Sequence, residues 1–177
     1  MFGDSGLRTE WMAHVKDASG ERDVALIVDV PGLGRLELDH LFLDVNGTLT
    51  NRGRLLDGVA ERLTRLSVPL HILLASADTF GTLQALAGQL GIEGVVVTDG
   101  EQKRQLVEQL GAQRTVVIGN GANDASALEA AALGIAIIGP EGAAGAALRA
   151  ADVVCSSIGD ALDLLLDTRA LKATLRT

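Results

Sequence analysis

One cysteine, no tyrosine, three prolines and an aromatic content of 2% set the first limits on this chain of 177 residues. A single thiol, Cys155, rules out an internal disulfide framework; lying in an apolar stretch, it reads as a small buried side chain in a reducing compartment. With so few rings, the core must be built from Ala, Val, Ile and Leu, which suits Ala-rich helices packed on a Val/Ile sheet. A basic face is missing too: the formal net charge is -8, so neither nucleic acid nor an anionic membrane surface is an expected partner. The longest apolar run, "AAALGIAIIGPEG", is interrupted at Gly139, Pro140 and Glu141, well short of the ~20 residues that a membrane span needs. The opening "MFGDSGLRTEWMAHVKDASGERD" lacks the apolar segment of a secretory signal, and a cytoplasmic location is expected. The histidines, His14, His40 and His71, are scattered and fit no metal-ligand spacing.

What remains is regular. The length suits one domain with a sizeable core. Residues 1–22 carry no sustained period and are expected as a poorly structured N-terminal arm, with a single domain over 23–177. "VALIVDVPGLGRLELDHLFLDV" reads as strand, turn and strand, a short β-hairpin punctuated by "PGLG". Beyond it, apolar runs at "HILLAS", "GVVVTD", "TVVIGN", "GIAIIG" and "DVVCSS" alternate with helical stretches at "LLDGVAERLTRL", "DTFGTLQALAGQL", "GEQKRQLVEQL", "ANDASALEAAAL" and "EGAAGAALRA". Continuous β-branched runs separated by helices predict an α/β fold: a three-layer α/β/α, Rossmann-like domain with a mainly parallel sheet. Right-handed crossovers place its helices on both faces. "SIGD" predicts a capping box, with Ser157 at the N-cap and Asp160 three residues later, opening the helix "ALDLLLDT".

In such sheets ligands bind outside the carboxyl ends of the strands. The polar residues there are Asp44 and Asn46 after the first central strand, Ser76 and Asp78 after the second, Asp99 after the third, and Asn120, Asn123 and Asp124 after the fourth. Lys103 lies one helical turn past Asp99. Asp78 and Asp99 fit helix caps and are left outside the expected site. The others suit phosphoryl transfer. Asp44 would attack phosphorus to give an aspartyl phosphate, and Mg²⁺ with a lysine would offset the repulsion between two anions. The chain has only three lysines, so Lys103 stands out as the compact point charge that a phosphoryl site wants.

"DVNGTLT", "LLASAD", Lys103 and "VVIGNGANDASALEAAALGIAI" resemble, in order, the four motifs of the haloacid dehalogenase superfamily. Within it they are most similar to the phosphorylation domain of P-type ATPases, with its DKTGT, TGD, lysine and GDGxND. From about Leu36 onward the chain resembles a soluble P-type-ATPase-like phosphatase. The resemblance implies phosphorylation at Asp44, and Mg²⁺ held by the Asp44 carboxylate, the Asn46 main-chain carbonyl and the Asn120 side chain. It implies that Ser76 and Lys103 contact the phosphoryl group, with Gly47, Thr48, Ala77 and Asn123 around it. Asp124 would stand on the metal side, orienting the lysine and the metal's water shell together with Asn123.

Two positions depart from that pattern. Asn46 stands where superfamily phosphatases carry a second aspartate as general acid and base, a function worth about 10²–10⁴ in rate, so poor leaving groups should react slowly. Asn120 replaces an aspartate ligand and removes one negative charge from the metal site. Between the first two motifs "NRGRLLDGVAERLTRLSVPLHIL" has room for a flap and one helix, and no cap fits after Ser76. The expected function is therefore that of a slow, capless, Mg²⁺-dependent phosphohydrolase acting on a small phosphorylated substrate. Alternatives are a degenerate regulatory or binding protein of the same fold, and a receiver-like phosphoaspartate module, although receivers place an acidic pair after the first strand. Flap residues Arg52 and Arg54 are candidates for an anionic substrate tail. The "PGLG" hairpin is a candidate contact for a homo-oligomer that would cover the site.

Overall fold

The computed structural model describes residues 25–78 and 81–177; the arm expected over residues 1–22 lies outside them. Strands β1 (Leu26–Val30) and β2 (Gly34–Leu38) form an antiparallel hairpin, paired from Leu26 with Leu38 to Val30 with Gly34. The run after the "PGLG" turn, expected as one strand, is two. It breaks at Asp39, and β3 (His40–Asp44) belongs to a different sheet. Arg114 fastens the break: its guanidinium binds the carboxylates of Asp39 and Glu37, and its carbonyl accepts from the Asp39 amide at 2.8 Å.

After β3 the chain makes a flap of two short antiparallel strands, β4 (Thr50–Asn51) and β5 (Arg54–Leu55). Its turn residues Arg52 and Gly53 have φ of 49° and 78°. Two successive positive φ values match the twist of a tight hairpin. Then come α1 (Val59–Leu66), β6 (His71–Ser76), α2 (Leu83–Leu90), β7 (Glu93–Val96), α3 (Gly100–Leu110) and β8 (Thr115–Gly119). A single 3₁₀ turn, Ala122–Asp124, leads into α4 (Ala125–Ala130), followed by β9 (Leu133–Ile137), α5 (Gly145–Ala150), β10 (Val153–Cys155) and α6 (Ile158–Leu166). The capping box is present: Ser157 Oγ accepts from the Asp160 amide at 3.1 Å and donates to its carboxylate at 2.8 Å. A further helix, α7 (Thr168–Leu175), starts at the Asp167 cap and extends the expected pattern.

The main sheet has six parallel strands in the order β10-β9-β8-β3-β6-β7. Alternate residues of each strand serve two aliphatic cores. On one face Leu41, Leu43, Leu74 and Ile118 pack with leucines of α1, α2, α6 and α7; on the other, Phe42, Leu73 and Val117 meet Val107 of α3, Leu128 of α4 and Ala147 of α5. Phe42 is the one aromatic ring in the buried core of the described residues. From β3 the chain builds outward through β6 to β7, then returns to the other side of β3 as β8. That reversal opens a crevice at the carboxyl ends of β3 and β8, where an open α/β sheet binds its ligands. No helix of the described residues is long and apolar enough to cross a membrane.

Candidate active site

Asp44 ends β3 and Ser76 ends β6. Asp44 pairs in register with Ala75, which puts Ser76 one step further along the same rim. Asn120 and Asp124 follow β8 across the crevice, and Lys103 reaches in from the first turn of α3.

Lys103 is the centre of the arrangement. Its side chain has 0% exposure, and Nζ donates to Asp44 Oδ1 at 2.6 Å and to Asp124 Oδ1 at 2.5 Å. Taking three ions out of water is unfavourable for each alone and is tolerated only when they are paired, so such a group is weak evidence of stabilisation and good evidence of a functional site. Burial pulls the lysine pKa down, but the two carboxylates outweigh it and the net shift is upward. Asp44 moves the other way from a typical surface carboxylate. Burial first, then the charge of Asp124, push it up to about 6, against the pull of Lys103 and the Thr48 hydroxyl. Two carboxylates against one ammonium leave one negative charge in excess.

The other groups are fixed by short-range bonds. Thr48 is buried, and its hydroxyl lies 2.9 Å from Asp44 Oδ2 and 3.1 Å from Asn120 Oδ1, which brings those two oxygens together. The turn that carries it folds back on Val45, whose carbonyl receives the amides of Thr48, Leu49 and Thr50. Gly47 takes φ 76° there, and a Cβ on it would lie 2.7 Å from Asn120 Nδ2. Asp124 Oδ2 accepts the amides of Asn120 and Gly121 at 3.1 and 2.8 Å, so both of its oxygens are engaged. Ser76 Oγ accepts from Asn46 Nδ2 at 3.2 Å and from the Asp78 amide at 3.0 Å.

Of the expected site residues, Asp44, Thr48, Lys103, Asn120 and Asp124 form one hydrogen-bonded network, with Gly47 packed against Asn120, and Asn46 and Ser76 form a separate bonded pair on the same rim. Ala77 and Asn123 are exposed at its margin and bond to none of these groups. Asp78 and Asp99 are caps, as expected: Asp78 Oδ1 accepts from Thr82 and Leu83, and Asp99 Oδ1 from Gln102. Flap residue Arg52 meets the loop after β9 through its amide, which donates to Glu141 at 3.0 Å.

Two contributors carry no side-chain signature. The Gly142 carbonyl accepts from Asn120 Nδ2 at 2.8 Å and thereby turns Oδ1 towards Asp44 and Thr48. Gly100 lets α3 approach the loop after β8, since a Cβ there would lie 2.6 Å from the Asn123 carbonyl oxygen. For Gly100, a glycine at the start of a predicted helix, three residues before Lys103, is the available hint.

The donor set fits a hard divalent cation. A carboxylate and an amide oxygen converge without imidazole or thiolate, and the surplus negative charge calls for a positive partner. Among the described residues no cluster of three or more His, Cys, Asp or Glu could make an all-side-chain cage. Mg²⁺, which binds through one or two carboxylates and keeps several waters, needs none.

A model of haloacid dehalogenase-like hydrolases matches residues 7–132. An uncharacterised protein of Methanocaldococcus jannaschii is 48% identical over 64 residues, which are 36% of this chain and 69% of that one. Copper-transporting ATPase 1 of Rhizobium meliloti is 31% identical over 161 residues, covering 85% of this chain but only 19% of the pump. Among solved structures, 3-deoxy-D-manno-octulosonate 8-phosphate phosphatase from Moraxella catarrhalis, in complex with magnesium and phosphate ions and the KDO molecule, has the same fold. It matches with a TM-score of 0.57 and 18% identity over 78% of this chain and 94% of that one. The family match over most of the chain agrees with the sheet order and with the four motif groups gathered at one crevice: this chain belongs to the haloacid dehalogenase-like hydrolases.

Proposed function

We propose that the protein is a Mg²⁺-dependent phosphohydrolase that works through an aspartyl phosphate on Asp44. The observation that carries this reading is the fully buried Lys103 ammonium shared between Asp44 and Asp124 at the crevice. A carboxylate oxygen of Asp44 attacks the phosphorus of a small phosphate ester. An O–P bond forms to Asp44, the P–O bond to the leaving group breaks, and the leaving group departs with its electron pair. Lys103 and the Ser76 hydroxyl hold the phosphoryl oxygens while charge moves on to them. Water then attacks the same phosphorus, releases phosphate and restores the carboxylate. Mg²⁺, which Asp44, the Asn46 main-chain carbonyl and Asn120 would hold, supplies the charge neutralisation that lets two anions meet. Asp124 keeps Lys103 aimed.

No carboxyl group stands at position 46 to protonate the leaving group or to activate the water. Aryl and acyl phosphates, which leave without a proton, are therefore the better substrates, and the phosphorylated enzyme is long-lived. The decisive assay incubates the purified protein with Mg²⁺ and p-nitrophenyl phosphate beside the Asp44→Ala variant. Phenol release that needs Asp44 and is abolished by chelation is expected. Equal rates for the two proteins would leave the degenerate binding-protein reading, which Asn46 and Asn120 favour.

A further inference from the structure

We propose that Asn46 is a positioning residue that keeps Ser76 as a hydrogen-bond donor to the phosphoryl group, an inference that rests on the reading of Asp44 as the phosphorylated residue. Ser76 has 1% exposure. Its oxygen receives two hydrogen bonds, from Asn46 Nδ2 at 3.2 Å and from the Asp78 amide at 3.0 Å. A hydroxyl has two acceptor lone pairs and one hydrogen. With both lone pairs occupied, the hydrogen is the only capacity left, and among the described residues it has no acceptor. A phosphoryl oxygen on Asp44, which can only accept, completes the group.

Both donors are held in place by the backbone. Asp78 has φ 50°, an uncommon conformation for a residue with a side chain, and its carboxylate is anchored on the amides of Thr82 and Leu83. This fixes the Asp78 amide against Ser76. Asn46 is followed directly by the Gly47 turn, tied to Thr50 by the Gly47 amide at 3.0 Å.

A carboxylate at position 46 would act in the opposite sense. It is acceptor-only when ionised, so it would draw the Ser76 hydrogen to itself and away from the phosphoryl group. The amide at 46 thus gives up proton transfer and gains a fixed donor, which tightens the hold on a phosphoryl group at Asp44.

The probe is beryllium fluoride with Mg²⁺, a mimic of the phosphoryl group, with binding measured calorimetrically for wild type, Ser76→Ala, Asn46→Ala and the double variant. Ser76→Ala should weaken binding about 10- to 100-fold, as expected for a hydrogen bond to a charged group. Asn46→Ala should weaken it about 3- to 10-fold, with little added loss when Ser76 is already alanine. Additive losses, or unchanged binding in Asn46→Ala, would overturn the inference. A second readout needs no ligand: in ¹⁵N-labelled protein the Asn46 side-chain amide hydrogens should exchange more slowly in wild type than in Ser76→Ala, and equal rates would also overturn it. Absence of any adduct in wild type would remove the Asp44 reading itself, and this inference with it.

Discussion

At the scale of single residues, the site is a contest between groups that attract a proton and groups that repel one. Lys103 lies between two carboxylates with no exposed surface, and Asp44 is pushed up to about 6 because burial and Asp124 together outweigh that ammonium. Position 46 sets what the site can do next. Asn46→Asp adds an acid that can protonate a leaving group and reverses the bond to Ser76. Turnover of alkyl phosphates should therefore rise relative to aryl phosphates, by up to about 10², while KM rises for both. Steady-state kinetics on one substrate of each class would check this, and an unchanged ratio would contradict it. Asp44 was legible in the sequence because it directly follows an apolar strand, and Lys103 because the chain has only three lysines. The Gly142 carbonyl that orients Asn120 was not, because a backbone atom of a glycine leaves no trace in composition or spacing.

At the scale of elements, close approach matters more than propensity. Gly100 opens α3, where alanine would ordinarily add about 1 kcal/mol of helix stability. Here its Cβ would meet the Asn123 carbonyl oxygen at 2.6 Å, and overpacking against backbone costs about 1–3 kcal/mol. Gly100→Ala should therefore lower the melting temperature and impair the Lys103 contact with Asp124; a rise in melting temperature would show that the loop yields freely. The opposite end of β3 carries a pH response. His40 meets His71 edge-on, with ring centroids 5.7 Å apart. Burial, then His71 and Arg114, pull the His40 pKa below its ordinary 6.5, against Asp39. A depressed folded-state pKa means that the folded chain binds fewer protons, so this share of stability is complete above 6.5 and is lost as pH falls towards the folded value. Asp44, whose raised pKa acts in the opposite sense, is common to wild type and His40→Leu, so the urea midpoint of wild type should fall relative to that of His40→Leu between about pH 8 and pH 5, and parallel curves would contradict the assignment. The six main strands and most helices were readable because strands of a covered parallel sheet are largely unbroken apolar runs. The break at Asp39 was not, since it depends on Arg114, some 75 residues away in sequence.

At the scale of the whole molecule, the groups of the candidate site come from two halves of the sheet. Asp44, Ser76 and Lys103 belong to the half containing β3, β6, β7 and α3, whereas Asn120 and Asp124 follow β8, which with β9 and β10 builds the other side of the sheet. The seam is the β3–β8 ladder, from His40 with Thr115 to Leu43 with Ile118. Contacts so distant along the chain form late, because their loop-closure entropy must be met before they reward the chain. During refolding from urea, helical ellipticity can begin to return before the seam has formed, but the turnover proposed for this site has to wait until the seam zips. Regained turnover is then a clock for that last docking event, and it should lag the far-ultraviolet signal.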